Sequence, residues 1–188
     1  MGDSIKKDRF FYLILISQGL MLIVTLIINF YFKIEVFSYL LPDENHHFYI
    51  LFGFLSGLSI YFILYIIEKV KPRVFKKINK IMRQIPLKKE NIPLIIFLPA
   101  IIEELFFRGI LQEFFGVIGT NIAFAIAHMG NEKDLIFYGI VSFLIGIIFS
   151  ILYILANNLL LPMLAHGTIN ALTVRRLIKN KRVSKEKT

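Results

Sequence analysis

The sequence predicts an all-α integral membrane bundle of about six transmembrane helices, with one interfacial amphipathic helix. Hydrophobic residues make up 56% of the 188 residues, and the mean hydropathy is +0.68. Both values are typical of integral membrane proteins. Long apolar runs recur along the chain, and none shows the alternation of about ten residues that marks a membrane β-strand.

Six apolar runs account for the predicted helices. A transmembrane helix needs about 20 residues at a rise of about 1.5 Å per residue. The fourth run is shorter than this, so we expect part of that helix to be buried among its neighbours. The runs cover residues 10–32, 48–67, 92–111, 114–129, 135–156 and 159–178.

Basic residues indicate the orientation of these spans. The net charge is +9, with nine Lys or Arg between Lys69 and Lys89 and seven in the last fourteen residues. The positive-inside rule places these segments and both termini in the cytoplasm, as an even number of spans requires. In so apolar a chain this rule explains the charge better than nucleic-acid binding. The residue usage suggests the cell membrane of a bacterium.

Residues 68–91 predict the amphipathic helix. Apolar residues recur there at helical spacing, with Lys and Arg between them. We expect this helix to lie on the anionic cytoplasmic leaflet, with membrane lipid as its partner. The apolar positions are Val74, Phe75, Ile78, Ile81, Met82 and Ile85.

The expected organisation is a single membrane domain over residues 1–188. The chain has no cysteine, which excludes disulfides, thiolate metal sites and cysteine nucleophiles. The predicted parts are two N-terminal spans (10–67), the basic cytoplasmic segment (68–91), a four-span core (92–178) and a basic cytoplasmic tail (179–188).

Two adjacent glutamates, Glu103 and Glu104, lie in the middle of the third apolar run. A charged side chain at the centre of a membrane helix costs roughly 2.5–3.5 kcal/mol on insertion scales. Carboxyl groups at this depth therefore indicate a functional site with partners in other spans. The candidate partners are Arg108, His128, His166 and Asn170.

Helical spacing separates the two glutamates. Glu104 and Arg108 are four residues apart, so they share a helix face and can form an ion pair. Pairing offsets the burial cost of both charges, and a structural role explains this couple. Glu103 is rotated by about 100° from Glu104, which leaves it as the free carboxyl group for acid–base chemistry.

The remaining polar residues repeat the same spacing. Phe124 precedes His128 in the fourth run, and His166 precedes Asn170 in the sixth. Taken alone, a polar residue in a membrane helix is often a hydrogen-bonded bundle residue, and the Phe124 ring is expected to pack. Together with Glu103, two imidazoles and an amide are suited to activating water and holding an oxyanion.

Three motifs in this order resemble the signature motifs of the CPBP family: Glu103-Glu104-x-x-x-Arg108, Phe124-x-x-x-His128 and His166-x-x-x-Asn170. That family comprises the CAAX proteases and the bacteriocin-processing or Abi proteins, and it includes the eukaryotic prenyl-protein endopeptidases. The resemblance covers about residues 92–172 and implies an intramembrane endopeptidase.

The resemblance also implies a role for each matched residue. Glu103 and His128 would activate the attacking water. His166 and Asn170 would stabilise the tetrahedral oxyanion. Glu104 and Arg108 would shape the site and position the substrate. The expected substrates are membrane-associated peptides or proteins, whose identity the sequence does not indicate, and no oligomeric state is predicted.

Zinc chemistry is an alternative for the same residues. Glu103, His128 and His166 are possible zinc ligands, with Glu104 as a further candidate. However, the sequence has no His-Glu-x-x-His motif, and Asn170 is a poor zinc ligand but a good oxyanion donor. The sequence therefore favours glutamate catalysis without a cofactor.

Two further function classes remain open. The chain can serve as a non-catalytic bacteriocin-immunity or regulatory membrane protein, with Glu103 kept for packing. Glu and His relays also mark proton-coupled transporters, although the sequence shows no inverted repeat.

Ser56 lies between two glycines, Gly53 and Gly57, and this pattern favours close helix packing over serine catalysis.

Overall fold

The computed structural model describes residues 2–41, 44–82 and 90–185. Residues 83–89 of the predicted amphipathic segment and 186–188 of the predicted tail lie outside the described residues. Within the described part of the chain there are seven α-helices and no strand, which confirms the all-α fold class. The helices are α1 (Gly2–Phe32), α2 (His46–Val70), α3 (Pro72–Met82), α4 (Ile92–Phe106), α5 (Gln112–His128), α6 (Lys133–Ala156) and α7 (Leu160–Lys185).

Six of these helices correspond to the six predicted spans. Three contain a stretch that is long and apolar enough to cross a membrane by itself: Phe11–Phe32, His46–Val70 and Lys133–Ala156. The other three are α4, α5 and α7. The first two are short, with 15 and 17 residues, and α7 carries polar and basic residues along its length. For these three, membrane crossing stays a prediction.

The boundary between the third and fourth spans was predicted incorrectly. The sequence places it at residues 112–113, whereas the helix continues from α4 through a π-helical turn, Phe107–Leu111, into the start of α5. The chain reverses at Gly116, whose φ of 62° and ψ of −174° are non-helical. Glycine adopts positive φ at little steric cost, so the reversal falls at Gly116.

The amphipathic helix α3 packs against the bundle. Its apolar residues Val74 and Phe75 are buried, and the Phe75 ring makes an edge-on contact with Tyr138 of α6, with ring centroids 6.5 Å apart. Asn79 of α3 donates a hydrogen bond to Glu68 at the end of α2. These contacts hold α3 over one end of the space between α6 and α7.

Close packing of α2 on α7 fixes the position of α7. A Cβ atom at Gly53 would lie 2.7 Å from Leu164 Cβ, and one at Gly57 would lie 2.6 Å from Thr168 Cβ. Only glycine permits this approach, as expected for small residues at membrane helix interfaces. The glycine pair therefore has the packing role that the sequence indicates.

Candidate active site

A cavity of about 490 Å³ lies between five helices and the amphipathic helix α3. Four of the predicted site residues line it: Glu103, His128, His166 and Asn170. The other three, Glu104, Arg108 and Phe124, do not line the cavity and lie behind the residues that do. The structure thus brings the polar groups of three spans to one cavity, as the spacing of the motifs predicts.

Glu103 and His128 face each other across this cavity. The distance from Glu103 Oε2 to His128 Nε2 is 3.9 Å. His128 Nδ1 lies 2.9 Å from the backbone carbonyl of Phe124. Because a carbonyl oxygen only accepts hydrogen bonds, Nδ1 carries the hydrogen and Nε2 is an acceptor in the neutral ring. Two acceptors, one carboxylate oxygen and one imidazole nitrogen, are therefore aimed at the same place.

Glu103 Oε2 is buried and has no hydrogen-bond partner within the described residues. The other oxygen, Oε1, accepts a hydrogen bond of 3.1 Å from Gln18 Nε2 of α1. A buried polar atom without a partner is rare in native proteins and commonly marks a catalytic role or a bound water. The carboxylate is thus held at one oxygen and available at the other.

Glu104 connects Arg108 to His166. Its side chain is fully buried and lies 3.2 Å from the Arg108 guanidinium, which is the ion pair that the four-residue spacing predicts. Glu104 Oε1 also lies 2.8 Å from His166 Nδ1. A carboxylate accepts only, so Nδ1 donates to it and the His166 ring is fixed with Nε2 away from Glu104.

Arg108 is enclosed by protein on every side and is 0% exposed. Its Nη2 donates to Asn121 Oδ1 (3.1 Å) and to the Gly146 carbonyl (3.0 Å). The guanidinium also lies over the ring of Phe124, 4.7 Å from the centroid. This burial leaves Arg108 no contact with a substrate, so its contribution is to hold Glu104 and the surrounding helices.

Arg108 lies in the π-helical turn between α4 and α5. Thr120, on the far side of the reversal at Gly116, donates a hydrogen bond of 2.9 Å to the Phe107 carbonyl in this turn. The turn and the returning helix are thereby joined next to Arg108. Such π turns occur frequently at functional sites.

Asn170 lies one turn after His166 on α7 and lines the same cavity. Its Nδ2 donates a hydrogen bond of 3.2 Å to the Ile96 carbonyl of α4. An amide nitrogen has two hydrogens, so one hydrogen remains for another acceptor. The bond to Ile96 fixes the orientation of the amide relative to α4, on which Glu103 lies.

A known family model matches the segment of the chain that carries the motifs. Residues 90–172 match the family model described as Type II CAAX prenyl endopeptidase Rce1-like, and all three motifs fall within this segment. Over this segment the chain is similar to the CAAX protease family. The segment contains α4, α5, α6 and the part of α7 that carries His166 and Asn170.

One curated relative that the chain resembles is an uncharacterized protein, YpbD, of Bacillus subtilis (strain 168). It is 39% identical over 89 residues, which cover 44% of this chain and 45% of that protein. The chain thus spans less than half the length of the curated relative it matches. No solved structure matches the chain.

Two polar residues of this candidate site, Gln18 and Asn121, were not predicted from the sequence. Gln18 lies on α1, outside the matched segment, and contacts Glu103 directly. Asn121 supports Arg108, and its own Nδ2 donates to Ser150 Oγ at 2.8 Å. The sequence contained a signal for both, because each is a lone amide within an apolar run.

The zinc alternative needs three ligands at one point. Among the residues that the structure describes, no three His, Cys, Asp or Glu side chains lie close enough to hold a metal ion. Glu103 and His128 approach each other, while His166 Nδ1 donates to Glu104 and leaves Nε2 on the other side of the ring. Catalysis without a cofactor stays a prediction, with zinc as its alternative.

Proposed function

We propose that the chain is an intramembrane endopeptidase that hydrolyses peptide bonds of membrane-associated peptides or proteins with a water activated by Glu103 and His128. The observation that carries this proposal is the 3.9 Å approach of Glu103 Oε2 to His128 Nε2. A water between them can donate one O–H to each acceptor, which directs its lone pair toward a bound carbonyl carbon. General-base catalysis of this kind contributes about 10²- to 10⁴-fold in rate.

The proposed reaction proceeds by attack and collapse. The water oxygen bonds to the carbonyl carbon while its proton passes to the Glu103–His128 pair, and the carbonyl oxygen becomes an oxyanion. When the intermediate collapses, the C–N bond breaks and the same proton is delivered to the leaving amine. One water is consumed, and an acid and an amine are released.

Stabilisation of the oxyanion is proposed for His166 and Asn170. The second hydrogen of Asn170 Nδ2 is available for it, because the first is bound to Ile96. His166 can donate from Nε2 in its imidazolium form, for which the Glu104 carboxylate at 2.8 Å supplies the opposite charge. Preorganised donors of this kind are worth most in a site shielded from water.

The proposed setting is a bacterial cell membrane, with both termini in the cytoplasm. The cavity is lined by Met82 of α3 and by Met129 and Gly130 of the α5–α6 connection. These residues belong to the connections that the positive-inside rule assigns to the cytoplasm. Substrates would accordingly enter from the cytoplasmic half of the bilayer.

The test is cleavage by the full chain in proteoliposomes that also contain a total membrane-protein extract, with new peptide termini identified by mass spectrometry. Glu103→Gln removes the carboxylate with little change in shape, and we expect the cleavage rate to fall about 10²- to 10⁴-fold. Glu113→Gln is the matched control, because Glu113 is an exposed glutamate after the π turn, outside the cavity. It should cleave like wild type.

Three results would count against this proposal. Wild-type cleavage by Glu103→Gln would exclude Glu103 as the base. Loss of cleavage on addition of 1,10-phenanthroline, with recovery on addition of zinc, would favour the metalloprotease. If Glu103→Gln is inert in cleavage but retains the chain's biological effect, the non-catalytic regulatory or immunity reading is selected.

A further inference from the structure

Helix α1 contacts the bundle along one narrow seam. Its buried residues beyond position 10 are Phe11, Gln18 and Thr25, and the positions between them are half-buried or exposed. Residues seven apart lie on one face of a helix. Phe11 packs in an apolar cluster with Ile95 of α4 and Val174 of α7. The seam thus seats α1 on α4, with Gln18 at its centre.

Gln18 is 6% exposed, and its side-chain amide contacts the carboxylate of Glu103. Nε2 donates a hydrogen bond of 3.1 Å to Glu103 Oε1, while Gln18 Oε1 is buried without a hydrogen-bond partner among the described residues. An apolar residue at the centre of this seam would avoid the cost of burying that oxygen. The amide therefore points to a role that packing alone does not supply.

The geometry defines this role. A carboxylate on a helix rotates about its terminal torsions, which are broad for glutamate. The bond from Gln18 to Oε1 fixes that rotation and leaves Oε2 facing His128 Nε2. We propose that Gln18 is a positioning residue that holds Glu103 in its reactive orientation, so that a helix outside the segment matched by the family model completes the site.

This inference rests on the proposed function, and its kinetic test uses a quenched fluorescent peptide built on a cleavage site found in the membrane-extract experiment. Gln18→Met keeps the size of the side chain and removes the donor. We expect kcat to fall about 10- to 100-fold, the range for losing a hydrogen bond to a charged group. KM should stay within about twofold, because the orientation of the base matters in the transition state.

Thr25→Val is the matched control. Thr25 is fully buried in the same seam, and its hydroxyl donates only to the Met21 carbonyl of its own helix, at 2.9 Å. If α1 contributes packing alone, Thr25→Val and Gln18→Met should lower activity alike, in proportion to their loss of stability. If Gln18 positions Glu103, Thr25→Val keeps wild-type kcat. Equal kcat values for Gln18→Met and wild type would overturn the proposal.

A structural measurement tests the same inference without any substrate. Experimental structures of the full chain with Gln18 and with Gln18→Met should differ at Glu103, with the 3.9 Å separation from His128 lost in the variant. An unchanged Glu103 rotamer would overturn the inference even if the chain proves not to be a protease. Conversely, if cleavage is independent of Glu103 but the rotamer moves, the proposed function fails and the positioning by Gln18 stands.

Discussion

The two neighbouring glutamates show how one helical step separates two environments. Glu104 has 0% exposure and lies between the Arg108 guanidinium and His166. Glu103 faces the cavity, with one oxygen bonded to Gln18 and the other unbonded among the described residues. Glu104 Oε2 also lacks a hydrogen-bond partner among the described residues, but it lies 3.2 Å from the Arg108 guanidinium. A carboxylate paired with a buried guanidinium stabilises a structure, whereas a carboxylate oxygen without a counter-charge can take a proton. The arrangement supports a structural role for Glu104 and a chemical role for Glu103.

The Arg108–Glu104 pair yields a stability prediction. Arg108→Met leaves the Glu104 carboxylate buried without its main counter-charge, and loss of one partner of a buried pair costs about 3–5 kcal/mol. We expect the unfolding free energy, measured by denaturant titration in mixed micelles, to fall by that amount. The double variant Glu104→Met/Arg108→Met should recover most of the loss, since no buried charge remains unpaired. A double variant less stable than the single one would contradict this reasoning.

At the scale of the helices, two features hold the site together: the glycine contacts of α2 with α7, and the π turn that joins α4 to α5. The helical periodicity predicts the helices and the glycine pair indicates their close packing. The helical periodicity does not predict the reversal of the chain at Gly116, because the apolar pattern continues on both sides of this residue. The backbone conformation of one glycine, rather than hydropathy, decides where the third span ends.

The glycine contact yields a second stability prediction. In Gly57→Ala the added Cβ would lie 2.6 Å from Thr168 Cβ, next to the turn of α7 that carries His166. Overpacking of this kind costs about 1–3 kcal/mol, which should lower the thermal unfolding midpoint in detergent. Gly19→Ala is the control, because a Cβ at Gly19 meets nothing within 4 Å and alanine is the better helix former. Equal midpoints for the two variants would refute the close contact.

At the scale of the whole molecule, the site is a meeting of helices far apart in sequence. Four of the motif residues could be assigned to one cavity from sequence, because each is a polar side chain within an apolar helix and needs a partner from another helix. Gln18 could not be assigned to the cavity from sequence, because its contact with Glu103 joins residues 85 positions apart. Nor could the sequence show that α3 packs against Tyr138 of α6. Long-range contacts of single side chains follow from tertiary packing and not from periodicity.

The most direct test of the central claim is an experimental structure that resolves the space between Glu103 Oε2 and His128 Nε2, with anomalous diffraction recorded at the zinc edge. We predict one water within about 2.6–3.2 Å of both atoms and no anomalous peak. An anomalous peak at about 2.0–2.2 Å from Glu103, His128 and His166, with tetrahedral coordination, would show a zinc ion and contradict the account. So would a Glu103 side chain that faces the lipid, out of reach of both imidazoles.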